Sequence, residues 1–120
     1  MATPAPQLPV FYRDVVALSR ERHKGWYIDP EQGYSFAASS NSVYVAASEF
    51  VVAAREFPIV FARDAGGGLA PAVLLGLRAN ENVVVDEEGR WLTNYVPAYV
   101  RRYPFILATA AGIDARAITG

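Results

Sequence analysis

The chain has 120 residues, of which 52% are hydrophobic and 19% charged, and its formal net charge is -1. That length supports one core that buries roughly two thirds of the unfolded surface, and the charge lacks the positive excess that drives general phosphate binding, so nucleic acid is not a default partner. No cysteine is present, which excludes disulfides, thiolate metal sites, iron–sulfur clusters and cysteine nucleophiles together.

Residues 1–10 contain Pro4, Pro6 and Pro9 and are expected to be extended or disordered. Met1 to Leu8 carries no positive charge, and no apolar run approaches a secretory or membrane-spanning length, so the sequence as it stands reads as cytoplasmic. Residues 11–120 are expected to form a single α+β domain. Within it, residues 14–18 read as a short strand. Residues 19–27 hold the only dense basic cluster, Arg20, Arg22 and Lys24, with His23 among them and Trp26 and Tyr27 after them. Asp29-Pro30-Glu31-Gln32-Gly33 is turn chemistry.

Residues 34–36 and 42–45 read as strand pieces around a polar loop. From Ala46 a helical pattern begins, with Ala47, Phe50, Ala54 and Phe57 as the buried stripe and Glu49, Val52, Arg55 and Glu56 largely off it. Pro58 forces Phe57 out of helical geometry, and residues 59–61 leave as a strand. Gly66-Gly67-Gly68 marks a flexible reversal into a strand over 72–77. Val83-Val84-Val85-Asp86 reads as another strand, and residues 86–89 as a tight turn into residues 90–92. Short turns between successive strands predict an antiparallel meander.

A second helix is expected from Asn94, with the Asn side chain as N-cap, Pro97 in the first turn, and Val96, Tyr99, Val100 and Tyr103 on its inner face. Tyr103-Pro104 then ends this helix as Phe57-Pro58 ends the first, after which residues 105–109 read as a strand, 111–114 as a turn and 115–118 as the start of another strand. The expected fold class is therefore α+β, an antiparallel meander with two short helices, written as helix-strand units repeated around Phe57-Pro58 and Tyr103-Pro104. The second unit stops early, so the chain is expected to be incomplete at its C-terminal end and to leave an open strand edge through which it can form a homo-oligomer.

The ordered set Arg20-Glu21-Arg22-His23, Ala54-Arg55-Glu56-Phe57-Pro58-Ile59-Val60-Phe61, Leu75-Gly76-Leu77-Arg78 with Glu81-Asn82, residues 86–91, and Tyr95-Val96-Pro97-Ala98-Tyr99-Val100-Arg101-Arg102-Tyr103-Pro104-Phe105 resembles the bacterial SapC family. The resemblance runs from about residue 9 to residue 107 and implies that the chain corresponds to the N-terminal half of a longer member. It also implies a role associated with bacterial surface layers. No catalytic residues come with it.

The residues themselves offer little catalysis. His23 is the only histidine, no nucleophile elbow accompanies Ser39, Ser40 or Ser42, and His23 with Asp86, Glu87 or Glu88 lacks metal-ligand spacing. The triple glycine lacks the Lys-Ser/Thr and the following helix of a phosphate loop. No catalytic residue, cofactor or metal is expected. The basic and aromatic cluster at 20–27 could hold single-stranded nucleic acid, but one such cluster on a slightly acidic chain reads better as a solvated loop.

The candidate binding residues are Arg55, Arg101, Arg102 and Tyr99. As helix-end cations the arginines would oppose the dipole; as a paired basic rim they would bind an acidic peptide, a carboxylate or a protein partner. The expected function is non-enzymatic binding of a peptide or protein in a surface-layer or envelope-associated assembly. The alternative is an accessory domain that binds a small molecule or presents a peptide to a modifying enzyme.

Overall fold

The computed structural model describes residues 9–107; the residues before Pro9, the end of the strand expected over residues 105–109, the turn expected over 111–114 and the strand expected to start at 115 lie outside the described residues. Contacts divide the chain into two compact units, one of residues up to Pro30 together with those from Pro104, the other Glu31–Tyr103.

The Glu31–Tyr103 unit is α+β. Its sheet has three strands, β1 (Ser42–Tyr44), β2 (Ile59–Arg63) and β3 (Leu69–Leu74), all antiparallel and ordered β1-β3-β2. The expected meander is thus replaced by one hairpin, β2–β3, with β1 on the far side of β3. Pro58 starts β2 as its backbone chemistry requires, and the reversal after Arg63 is held rather than loose. Asp64 Oδ1 accepts from the amides of Gly66 and Gly68, both at 2.9 Å. The turn therefore closes early and starts β3 at Leu69 rather than at residue 72.

Pro71 sits inside β3, and the pairing explains why it is tolerated. Its carbonyl accepts from the Val45 amide at 3.2 Å, so its backbone polar groups face β1, and opposite Phe61 no N–H is needed. The missing donor ends the β1–β3 ladder at Val45.

The expected strand over 83–86 is a single bridge, Val85 with Trp91. Asn82 is the reason. Its side-chain amide donates to the Ala37 carbonyl at 2.9 Å, its oxygen accepts from the Val84 amide at 2.8 Å, and the residue is buried. A side chain that binds its own backbone two residues on makes a turn, not a ladder. The turn that follows is as expected, with Asp86 Oδ1 accepting from the Glu88 and Arg90 amides. Residues 34–36 are likewise no strand, since Ser35–Ala37 is a 3-10 turn.

The first helix is shorter than its periodicity suggests. Ala47–Glu49 is 3-10 and only Phe50–Ala53 is α-helix, here α2. A 3-10 turn has three residues rather than 3.6, which rotates the inner face. Glu49, Ala53 and Phe57 are buried, while Ala47 and Ala54 are exposed. The second helix, α3 (Ala98–Arg101), begins three residues later than expected, with Pro97 rather than Asn94 at its N-cap. Asn94 is not the cap because its amide and side chain are engaged elsewhere, as described below. Val43, Val45, Ala53, Phe57, Val73, Leu75 and Val100 form the core; each fully buried valine or leucine contributes about 1.5 to 3 kcal/mol relative to exposure.

In the other unit, α1 is one turn, Arg20–His23, with the Ser19 side chain accepting from the Arg22 amide. Residues 14–18 are irregular, not the expected strand. The Tyr12 hydroxyl donates to the Phe105 carbonyl at 2.8 Å. Phe105 to Leu107 is irregular as well, so the helix-to-strand joint seen at Phe57-Pro58 is not reproduced at Tyr103-Pro104 within the described residues.

Candidate functional site

The Glu31–Tyr103 unit is organised around two carboxylates that grip one stretch of backbone. Glu49 is the third residue of its turn, where a glutamate can reach back to the amide that opens the helix. It does so: Oε2 accepts from the Ala46 amide at 2.8 Å. Ala46 has no acceptor to return the bond, so only half of a capping box exists. The other oxygen, Oε1, accepts from the Tyr95 hydroxyl at 2.6 Å and from the Ala98 amide at 2.8 Å. Ala98 is the first residue of α3, and Pro97 before it offers neither a donor nor an acceptor side chain. Glu49 therefore satisfies the otherwise orphaned amides at the start of two separate helical turns. It is only 9% exposed.

Glu56 lies one turn beyond α2. Its Oε1 accepts from the Asn94 amide at 2.9 Å and from the Asn94 side chain at 3.1 Å, and its Oε2 accepts from the Tyr95 amide at 2.7 Å. Asn94, expected to cap the second helix, is thus held by a glutamate of the first. Trp91 fixes the same segment from the other side, its Nε1 donating to Thr93 Oγ1 at 2.6 Å and to the Tyr95 carbonyl at 3.0 Å.

These bonds set the ionisation of the cluster. Burial pushes the Glu49 carboxyl up, but the Tyr95 hydroxyl, the Ala98 and Ala46 amides and the Arg101 charge together outweigh it, and it sits below the ordinary glutamate range. The Asn94 and Tyr95 amides hold Glu56 below that range too. Tyr95 is pushed up by burial, by its bond to Glu49 and by the charge of Glu49, with Arg101 opposing. Both glutamates are therefore anions with their lone pairs committed, a poor arrangement for taking a proton from a substrate.

Of the residues anticipated for binding, Tyr99, Arg101 and Arg102 share α3 and its last turn. Arg101 is exposed, donates from Nε to the Val96 carbonyl at 2.8 Å and lies 5.5 Å from the centre of the Tyr95 ring. Arg102 is exposed and stacks over Tyr99 at 4.2 Å, within cation–π range. Neither arginine has a carboxylate within ion-pairing distance among the described residues. A one-turn helix has little aligned dipole, so these contacts, rather than a dipole, hold the cations in place. Arg55 is exposed in the turn after α2, and among the described residues no hydrogen bond, ion pair or cation–π contact joins it to the other three.

Glu49, Glu56 and Tyr95 were not anticipated. A glutamate placed three residues after the start of a turn is a recognisable half-signal; that it would be buried under a tyrosine 46 positions away has no local signature. Among the described residues, no group of three or more carboxylate or histidine side chains could hold a metal ion, and no helix is long and apolar enough to cross a membrane.

In a comparison with known families, the family model described as SapC matches residues 18–119. No curated protein and no solved structure matches the chain.

Proposed function

The chain belongs to the SapC family, and on that premise we propose that it is a non-enzymatic binding protein that captures an acidic peptide segment of a protein partner through the exposed end of α3. The setting we propose is a bacterial surface-layer or envelope-associated assembly. The observation that carries the reading is the pair of exposed guanidinium groups of Arg101 and Arg102, each set against a tyrosine ring with no carboxylate partner among the described residues. A cation whose rotamers are already restricted loses less entropy when a carboxylate docks, and a guanidinium can take that carboxylate through two parallel bonds. The Glu49 and Glu56 clamp supports this by fixing the backbone that carries α3. Arg55 serves the same surface only if a partner spans both turns.

Arg102→Gln is the sharper variant, because Arg101 also holds the Val96 carbonyl. A fluorescently labelled Glu-rich peptide is titrated against the wild-type chain and this variant, with a Lys-rich peptide as control. The expected result is saturable binding of the Glu-rich peptide alone, weakened about tenfold by Arg102→Gln with an unchanged melting temperature. Absence of binding to the wild type, or equal binding by the variant, would overturn the reading.

A further inference from the structure

The two edges of the sheet differ in how they are finished. β1 is three residues long, and the Ser40 hydroxyl donates to the Ser42 carbonyl at 2.9 Å, occupying an outward-facing acceptor. β2 has five residues, paired with β3 without a bulge from Ile59 opposite Val73 to Arg63 opposite Leu69. The Leu74 amide donates to the Pro58 carbonyl, so even-numbered residues of β3 face β2. Antiparallel alternation then turns Val60 and Ala62 toward β3 and directs the N–H and C=O groups of Ile59, Phe61 and Arg63 outward. None of those groups has a partner among the described residues.

An edge of this kind is usually blunted by lysine, proline, a bulge or brevity. Apart from the charge of Arg63 at its end, β2 has no such device inside it, and Phe61 is 62% exposed with its ring edge-on to Phe50. The strand is also self-complementary. A two-fold axis at Phe61 places Phe61 opposite Phe61 and Ile59 opposite Arg63, so each facing pair exchanges both of its hydrogen bonds. The only charge on the strand is Arg63. The two copies of Arg63 would stand roughly 13 Å apart at about 3.3 Å per residue, beyond the screening length of about 8 Å at physiological salt. Each would lay its stem along an Ile59. With a net charge of -1 on the whole chain, little general repulsion opposes the pairing.

We propose that β2 is a self-association edge, and that two copies of this chain join through antiparallel β2–β2 pairing centred on Phe61 into one continuous sheet. The occupant is a second copy because the pattern of the strand matches itself in that register. The proposal is independent of the α3 surface, and Arg102→Gln should leave it untouched.

Sedimentation equilibrium of the full chain from about 1 µM to about 1 mM should show a monomer–dimer equilibrium, since a contact confined to one strand edge belongs to the weak class of interfaces. Amide exchange at Phe61 and Arg63 should slow as concentration rises, while Val60 and Ala62, bonded to β3, should be protected throughout. Phe61→Pro removes an outward N–H without taking a bond from β3, and Phe61→Glu sets like charges face to face. Each should weaken the dimer at least about tenfold with the fold kept, and should Phe61→Pro unfold the chain, Phe61→Glu decides the matter. A wild type that stays monomeric throughout, concentration-independent exchange at Phe61 and Arg63, or undiminished association of Phe61→Glu would overturn the proposal.

Discussion

Glu49 and Glu56 perform the same operation on the same stretch of chain, and they differ chiefly in how much water reaches them. Each accepts three hydrogen bonds, and both reach the Asn94 to Ala98 segment. Glu49 does so while 9% exposed, where its donors have no other acceptor among the described residues. Glu56 is more open, and water can replace it at the Asn94 and Tyr95 amides. Identical bonding should therefore have unequal energetic weight, because an orphaned group is penalised only where solvent cannot repair it. Glu49→Ala is the strongest way to break the pair. It leaves the Ala46 and Ala98 amides and the Tyr95 hydroxyl without acceptors, and should reduce the unfolding free energy by about 3 kcal/mol in urea titration. Glu56→Ala should give a clearly smaller loss, and parity between the two variants would mean that burial does not separate them.

The hydroxyl of Tyr95 separates the contributions within the buried site. It donates to Glu49 at 2.6 Å and accepts from Arg101 at 3.4 Å. Tyr95→Phe removes one short, charge-assisted bond while leaving the ring under Arg101, and a loss of about 1.5 kcal/mol is expected. Combined with Glu49→Ala, the two effects should fall well short of adding, because the second change removes a bond already gone. Additive losses in that double-mutant cycle would place the Tyr95 contribution outside the Glu49 contact.

The same contrast explains what could be read from the sequence. Features set by neighbours in the chain were legible: Pro58 launching β2, the Asp86 turn, the buried Val100, and an α+β class with an antiparallel sheet. The resemblance to SapC rested on ordered motifs and agrees with the family match. What failed was decided by partners far away in sequence. Asn94 looks like a helix cap until Glu56, 38 residues earlier, takes both its amide and its side chain. Val83 to Asp86 looks like a strand until Asn82 folds back on it. Glu49 looked solvated because a regular helix from Ala46 would turn it outward, and the 3-10 start rotates it in. Side-chain acceptors competing with backbone ladders thus account for most of the differences, and periodicity alone registers none of them.

The pH dependence sharpens the comparison further, with a smaller effect. Both glutamates are held below the ordinary glutamate range in the folded chain. A carboxyl with a depressed folded pKa binds protons more readily when unfolded, so its contribution is complete above the unfolded value and is lost as pH falls through the folded one. Unfolding free energy should therefore decline on acidification below about pH 4.5, the region where unfolded glutamate titrates. Tyr95 acts in the opposite direction. Burial and the Glu49 bond raise its pKa, so its contribution is complete below the ordinary tyrosine value of about 10 and falls away as pH rises through the raised one. Glu49→Gln removes the nearby charge and should weaken the alkaline limb as well as the acid one. Glu56→Gln, which bonds only to Asn94 and the Tyr95 backbone, should soften the acid limb and leave the alkaline limb as it is. Urea unfolding across pH distinguishes the two: an alkaline limb that responds to Glu56→Gln would show that the tyrosine is coupled to both carboxylates, and the buried and open halves of the clamp would then act as one site.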